Sequence, residues 1–304
     1  MRKPWLVGVL VAGLLLGACG DPASAPEASP PAPAVSGASQ SPTSTTRQRA
    51  VASPDAVAKP PTVLYLGDSI AMENQKVLGQ LLGDQLHARY TSAPYSGTTL
   101  CDYLEGTAKR SLVPPADKAA ALVRSLQPDF VVLQFWGNAW GYTPCMDGIT
   151  YDKSRTTYVK RYEADAKRLT EQIAGAGGAR RPRIVWVLQG PDPITPDRVR
   201  TVNALYEARA RASDDLLADA GKTVSPASAR YTWAQYLPCT SYEHDHPAYC
   251  TQPGRDRTAL HRDDDYLHFC LAATSSKPRP CPVQSPGILR ITREITRVIS
   301  DHVG

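Results

Sequence analysis

With 304 residues, the chain is long enough for one sizeable domain or two small ones. Its hydrophobic fraction of 42% and charged fraction of 21% are those of a globular protein, not of a wholly disordered chain. The net charge of +5 is mild, and the basic residues (Lys109-Arg110, Arg180-Arg181, Arg198 to Arg211) lack interleaved aromatics, which argues against nucleic-acid binding.

The first element is an address. Arg2-Lys3 precedes an apolar run over 6–16, the length of a signal-peptide core and too short for a comfortable membrane span. It ends in Leu16-Gly17-Ala18-Cys19, small residues before a cysteine that resemble a bacterial lipobox. On that resemblance 1–18 is a lipoprotein signal peptide and Cys19 is the lipidated mature N-terminus. A plain secretory peptide with an incidental Cys19 is the alternative. Residues 19–61 are rich in Pro, Ala, Ser and Thr with almost no large apolar side chains. Such a segment cannot bury enough surface to offset its ordering entropy, so a disordered tether is expected. The folded domain is then 62–304. The abundance of Arg over Lys, with much Ala and Pro, is a compositional hint of a GC-rich bacterial genome.

From residue 62 strand-like and helix-like patterns alternate. The expected order is a strand over 63–66, a helix over 70–86, a strand over 88–93, a helix over 116–126 stopped at Gln127-Pro128, and a strand over 130–135. A long amphipathic helix over 155–173 follows, ended by glycines at 175, 177 and 178, then a strand over 184–188 and a helix over 197–217. A short fifth strand is expected at 223–225, a cysteine-rich loop region after it, and a last helix over 286–303. Apolar strands separated by helices call for a parallel sheet covered on both faces, with ligands beyond the carboxyl ends of the strands.

Ser69 falls at such an end, in Gly67-Asp68-Ser69. A serine hydroxyl attacks a carbonyl only when a base takes its proton, and histidine titrates near neutrality. Asp265-Tyr266-Leu267-His268 offers that base together with a carboxylate to fix its tautomer. Asp263 and Asp264 compete for the partnership, and the spacing favours Asp265. Donors for an oxyanion come from the Ser69 N–H, from the loop Tyr95-Ser96-Gly97-Thr98-Thr99 and from Gly137-Asn138 after the third strand. Each piece alone has an ordinary reading as a helix cap, a surface pair or a turn glycine; the ordered set carries the argument. Trp136 and Trp140 are expected to line the pocket or to pack in the core, and His244 and His246 to be loop residues. This chemistry calls for no metal or organic cofactor.

These four blocks, in this order, resemble the SGNH (GDSL-type) hydrolase family over residues 62–304. The resemblance implies a flavodoxin-like three-layer α/β/α sandwich with a mostly parallel sheet. It implies Ser69 as nucleophile, His268 as base, Asp265 as its partner, and Ser69, Gly97 and Asn138 as the oxyanion hole. The third block departs from the family's Gly-x-Asn-Asp, since Gly137 and Asn138 are adjacent here. The long stretch before Asp265 and the extra cysteines depart too, and resemble exported actinobacterial members, including domains associated with envelope-glycan acyltransferases.

Apart from Cys19, six cysteines remain: Cys101, Cys145, Cys239, Cys250, Cys270 and Cys281. An even number in an exported protein argues for disulfides. Proximity favours Cys239–Cys250 and Cys270–Cys281, leaving Cys101–Cys145 to join two loops that border the pocket. A metal site at Cys239, His244, His246 and Cys250 is the weaker alternative. The expected function is an extracytoplasmic serine esterase acting on small acyl esters, such as O-acetyl groups of envelope glycans. It would be anchored at the outer face of the cytoplasmic membrane. The alternatives are an O-acyltransferase to glycan hydroxyls, or an inactive glycan- or solute-binding lipoprotein.

Overall fold

The computed structural model describes residues 59–136, 143–273 and 277–303. The chain divides into two units, Met1–Ser53 and Pro54–Gly304. The first unit, with Cys19 and most of the expected tether, lies outside the described residues, as do Asn138 and Trp140. Among the described residues no helix is long and apolar enough to cross a membrane.

The second unit is an α/β fold. Five strands, β1 (Thr62–Gly67), β2 (Arg89–Ser92), β3 (Phe130–Gln134), β4 (Arg183–Val187) and β5 (Leu216–Ala218), form a parallel sheet in the order β2-β1-β3-β4-β5. This 2-1-3-4-5 order is the flavodoxin-like one. A small antiparallel pair, β6 (Tyr236–Pro238) with β7 (Arg257–Ala259), lies in the cysteine-rich region.

The sheet's side chains alternate between two cores, as period-2 geometry requires. Leu64, Leu66, Val131, Leu133 and Trp186 meet α2 (Ala119–Leu126), α3 (Arg155–Ala176) and α4 (Pro196–Ser213) on one face. Val63, Tyr65, Val132, Val185 and Val187 meet α1 (Ser69–Leu86) and α7 (Pro286–Ser300) on the other. Both faces are covered, which is why β1 and β3 read as unbroken buried runs. Ile288, Ile291, Ile295, Val298 and Ile299 of α7 recur at helical spacing and are buried. Each such side chain contributes about 1.5–3 kcal/mol of burial.

The expected elements are found with end shifts of a few residues, and with one correction. The helix expected over 197–217 stops at Ser213, where Asp214 takes the left-handed conformation (φ 53°) and its N–H bonds the Ala210 carbonyl. Leu216-Leu217-Ala218 then pair with Val185-Trp186-Val187 as the fifth strand. The strand expected at 223–225 is absent: Thr223 ends the short helix α5 (Ala220–Thr223), and Val224 and Ser225 follow as a turn and a bend. The apolar Leu216-Leu217 fits a helix face and a strand equally well, and an edge place on the sheet decides it. The loop-like region also holds a short helix, α6 (Ser241–Asp245), besides β6 and β7.

Candidate active site

The turn after β1 is built from tight backbone geometry. A Cβ on Gly67 would lie 2.1 Å from the Gln134 carbonyl oxygen and 2.5 Å from Ala71 Cβ, so only glycine lets β1 run this close to the end of β3. Asp68 follows as the cap of α1, its Oδ1 accepting the Ile70 N–H at 3.0 Å. Its Oδ2 accepts the Trp136 N–H at 2.7 Å, which ties the ends of β1 and β3 together. Ser69 is therefore the first residue of α1. It stands at the carboxyl edge of the sheet, among first-turn amides that lack intrahelical acceptors and that favour negative charge.

His268 arrives from a segment 199 positions away. Its Nε2 lies 3.1 Å from Ser69 Oγ. Its Nδ1 lies 3.0 Å from Asp265 Oδ2 and 3.2 Å from Oδ1. Asp265 Oδ1 also accepts the backbone N–H groups of Leu267 and His268, at 3.2 and 3.1 Å, so a local turn holds carboxylate and ring together. An ionised carboxylate only accepts, so Nδ1 carries the proton and the Nε2 lone pair faces the Ser69 hydroxyl. Asp263 and Asp264 are engaged elsewhere, with Gln235 and Arg262.

Burial alone would push the His268 imidazole down. The Asp265 hydrogen bond and the nearby carboxyl of Glu73 outweigh it, and the net shift is above the ordinary value near 6.5. Burial would raise Asp265, but its bonds to His268 hold it down to about 2. Behind the ring, His261 is kept below its usual value by burial and so is neutral. Its Nδ1–H reaches the His268 carbonyl at 2.9 Å, while its ring stacks on Trp233 and meets Phe269.

The loop carrying Gly97 is fastened to the same turn. Tyr95 donates its N–H to the Gly67 carbonyl at 2.9 Å. The Tyr103 hydroxyl lies 2.8 Å from both the Gly67 and the Ala93 carbonyls. Gly97 itself has φ 77°, a left-handed conformation that disfavours any side chain. Asn138, the other expected oxyanion donor, lies outside the described residues. The residue that leads into its block is pinned at both ends. Trp136 gives its N–H to Asp68, and its carbonyl accepts from Arg198 Nη2 at 3.0 Å. Arg198 is buried and paired with Asp192 at 3.1 Å. The Trp136 ring is buried against Phe269 and over Gly190, so of the two expectations for it, core packing holds.

The three disulfides are Cys101–Cys145, Cys239–Cys250 and Cys270–Cys281. With the Cys239 and Cys250 sulfurs bonded to each other, the alternative metal set loses both thiolates. His244 instead pairs with Asp256 at 3.0 Å, and His246 stacks on Tyr242. Around Ser69 is a cavity of about 140 Å³, reached by Met72, Glu73, Ser96, His268 and the wall of the Cys270–Cys281 loop.

Several supporting residues escape a reading of the sequence. Tyr103, Arg198 and His261 act through folding that no local pattern shows. Glu73 had a signal: four positions after Ser69 in a helix, it shares that residue's face.

No protein-family model matches the sequence, and no curated protein does. Among solved structures the chain is similar to a family 3 carbohydrate esterase from Clostridium thermocellum, with 12% identity over 81% of this chain and 98% of that one (TM-score 0.43). It is similar to a lipase from a goat rumen metagenome, with 10% identity over 78% and 97% (TM-score 0.43). It is also similar to the periplasmic domain of a lipopolysaccharide acetyltransferase from Salmonella ser. Paratyphi A, with 10% identity over 80% and 85% (TM-score 0.41).

Proposed function

We propose that this chain is a serine esterase that removes small acyl groups through an acyl-serine intermediate. One observation carries the reading: the hydrogen-bonded series Ser69 Oγ, His268 Nε2, His268 Nδ1 and Asp265, at 3.1 and 3.0 Å. A binding module has no need of a neutral imidazole facing a serine hydroxyl at the edge of a sheet.

In this reading Ser69 Oγ attacks the ester carbonyl as its proton passes to His268 Nε2. Asp265 stabilises the imidazolium. The Ser69 N–H and the Gly97 loop, with Asn138, receive the charge that develops on the carbonyl oxygen. His268 returns the proton to the leaving alcohol. Water, deprotonated by His268, then releases the acyl group from Ser69. The cavity of about 140 Å³ supports a small acyl group, because pockets for drug-sized ligands run to roughly 300–1,000 Å³. The three disulfides favour an extracytoplasmic compartment. With lipidation at Cys19, the substrate would be an O-acylated glycan of the cell envelope.

The test is turnover of p-nitrophenyl esters of graded acyl length, with labelling by a fluorophosphonate probe. Acetate should be preferred over octanoate. Ser69→Ala and His268→Ala should each remove nearly all turnover, Ser69→Ala should lose the label, and both should melt near the wild-type temperature. Wild-type-like turnover in either variant would overturn the proposal. Product analysis with an acetylated glycan and a second glycan present shows whether water or a sugar hydroxyl takes the acyl group.

A further inference from the structure

Glu73 is placed to do more than line a pocket. It stands one turn after Ser69 on the same helix face. Its Oε2 accepts the N–H groups of Phe269 and Cys270, each at 3.2 Å, the two residues that follow His268. Its main-chain carbonyl accepts the N–H of Cys281, also at 3.2 Å. Cys270 and Cys281 are bonded to each other. A single residue of α1 thus holds both ends of the closed loop that walls the cavity above Ser69.

A neutral glutamine or asparagine could accept two N–H groups without the cost of placing a charge beside an apolar wall. That cost is visible. Burial pushes the Glu73 carboxyl up to about 7, although His268 and the two backbone donors pull it back. A carboxyl kept there at such expense has a use when it is ionised and the neighbouring ring becomes cationic, as His268 would when Ser69 gives up its proton.

We propose that Glu73 is a positioning residue. It clasps the chain after His268 to the helix that carries Ser69, setting the approach of Nε2 to Oγ, and its negative charge supports the imidazolium of the transition state. This inference rests on the serine-esterase reading. The other charged groups facing the pair are Asp265 beside the ring, Asp68 at the start of α1, and Lys277 and Arg279 on the loop wall. Neutral His261 lies behind.

Two variants test it, read by steady-state kinetics from pH 5 to 9 and by proton NMR titration of the His268 ring. Glu73→Gln keeps the shape and removes the charge. The His268 midpoint should then move to lower pH, because an anion that favoured the protonated ring is gone, and the acid limb of kcat should follow it. Glu73→Ala removes the clasp. Its plateau kcat should fall about 10- to 100-fold with KM little changed. A His268 midpoint at the wild-type pH in Glu73→Gln overturns the proposal, as does a wild-type plateau kcat in Glu73→Ala. If Glu73→Ala does not fold, the Glu73→Gln titration decides alone. Turnover that survives Ser69→Ala instead overturns the esterase reading; turnover lost there with an unmoved midpoint in Glu73→Gln overturns this inference only.

Discussion

Both oxygens of Asp265 face the His268 ring nitrogen and hold the ring in a single tautomer, while Oδ1 also accepts the Leu267 and His268 N–H groups. An Asp265→Asn variant preserves the outline but offers an amide donor where a carboxylate accepted, which favours the wrong tautomer. Its kcat should fall by about 10³-fold or more while the protein stays folded, measured as turnover beside circular dichroism. The pH profile carries a second signature. On the proposed reading His268 can act as a base only when neutral, and its partners lift its titration above the usual value near 6.5. Wild-type kcat/KM should therefore be lost as pH falls through a point above 6.5. In Asp265→Asn the limb should move to lower pH, since the carboxylate that favoured protonation is gone. The Ser69, Asp265 and His268 cluster was legible because each residue type has a narrow chemical use and each sits at an element end. Its supports were not. Trp136 is pinned by Asp68 and Arg198, which lie 68 and 62 positions away, and no spacing rule covers such distances.

At the scale of elements, the site is a set of loop ends fastened to α1 and β1. The Cys101–Cys145 bridge closes 44 positions of chain and joins the segment after Gly97 to the segment after β3. Disulfides of this span contribute about 2–4 kcal/mol, chiefly by restricting the unfolded chain. A Cys101→Ser/Cys145→Ser double variant should melt roughly 5–15 °C lower, read by calorimetry. Its kcat should also fall, because the loop bearing Gly97 is loosened. The Cys239→Ser/Cys250→Ser variant, whose bridge ties 11 positions beside β6 and β7, should lose stability but keep kcat per folded molecule. Among the elements, those with a single reading were found: short buried, mostly apolar runs for β1 and β3, and a one-sided apolar helix for α7. β5 was misplaced because three residues are too few to show a period, and its strand form comes from pairing with β4.

At the scale of the whole molecule, stability and activity should favour different pH. Burial raises Glu73 from 4.5 to about 7 and Asp215 from 3.8 to about 6. Between those values the folded state binds more protons than the unfolded one, so stability falls as pH rises from about 4 to 7. His268, also raised, adds stability below 6.5 that is lost as pH climbs through its folded value. Buried His261 runs the other way, since its lowered value makes protonation costly below 6.5. Asp265, held at about 2, contributes stability above 3.8 that is lost as pH drops toward 2. Melting temperature should therefore peak between about pH 4 and 6 and decline by pH 8, while kcat/KM is higher at pH 8 than at pH 5.5. A melting temperature that rises steadily from pH 5 to 8 would contradict this. Sequence by itself determined the layered α/β class, the residue types able to do acyl chemistry and the order of their blocks. Hydrophobic period and side-chain chemistry are local properties, and those follow from neighbours in the chain. Only the tertiary structure decided that Ser69 and His268 meet at 3.1 Å, that Glu73 joins them, and that Leu216-Leu217-Ala218 is a strand. Contacts between residues some 200 positions apart are set by how the sheet and helices pack, and packing is a property of the whole chain at once.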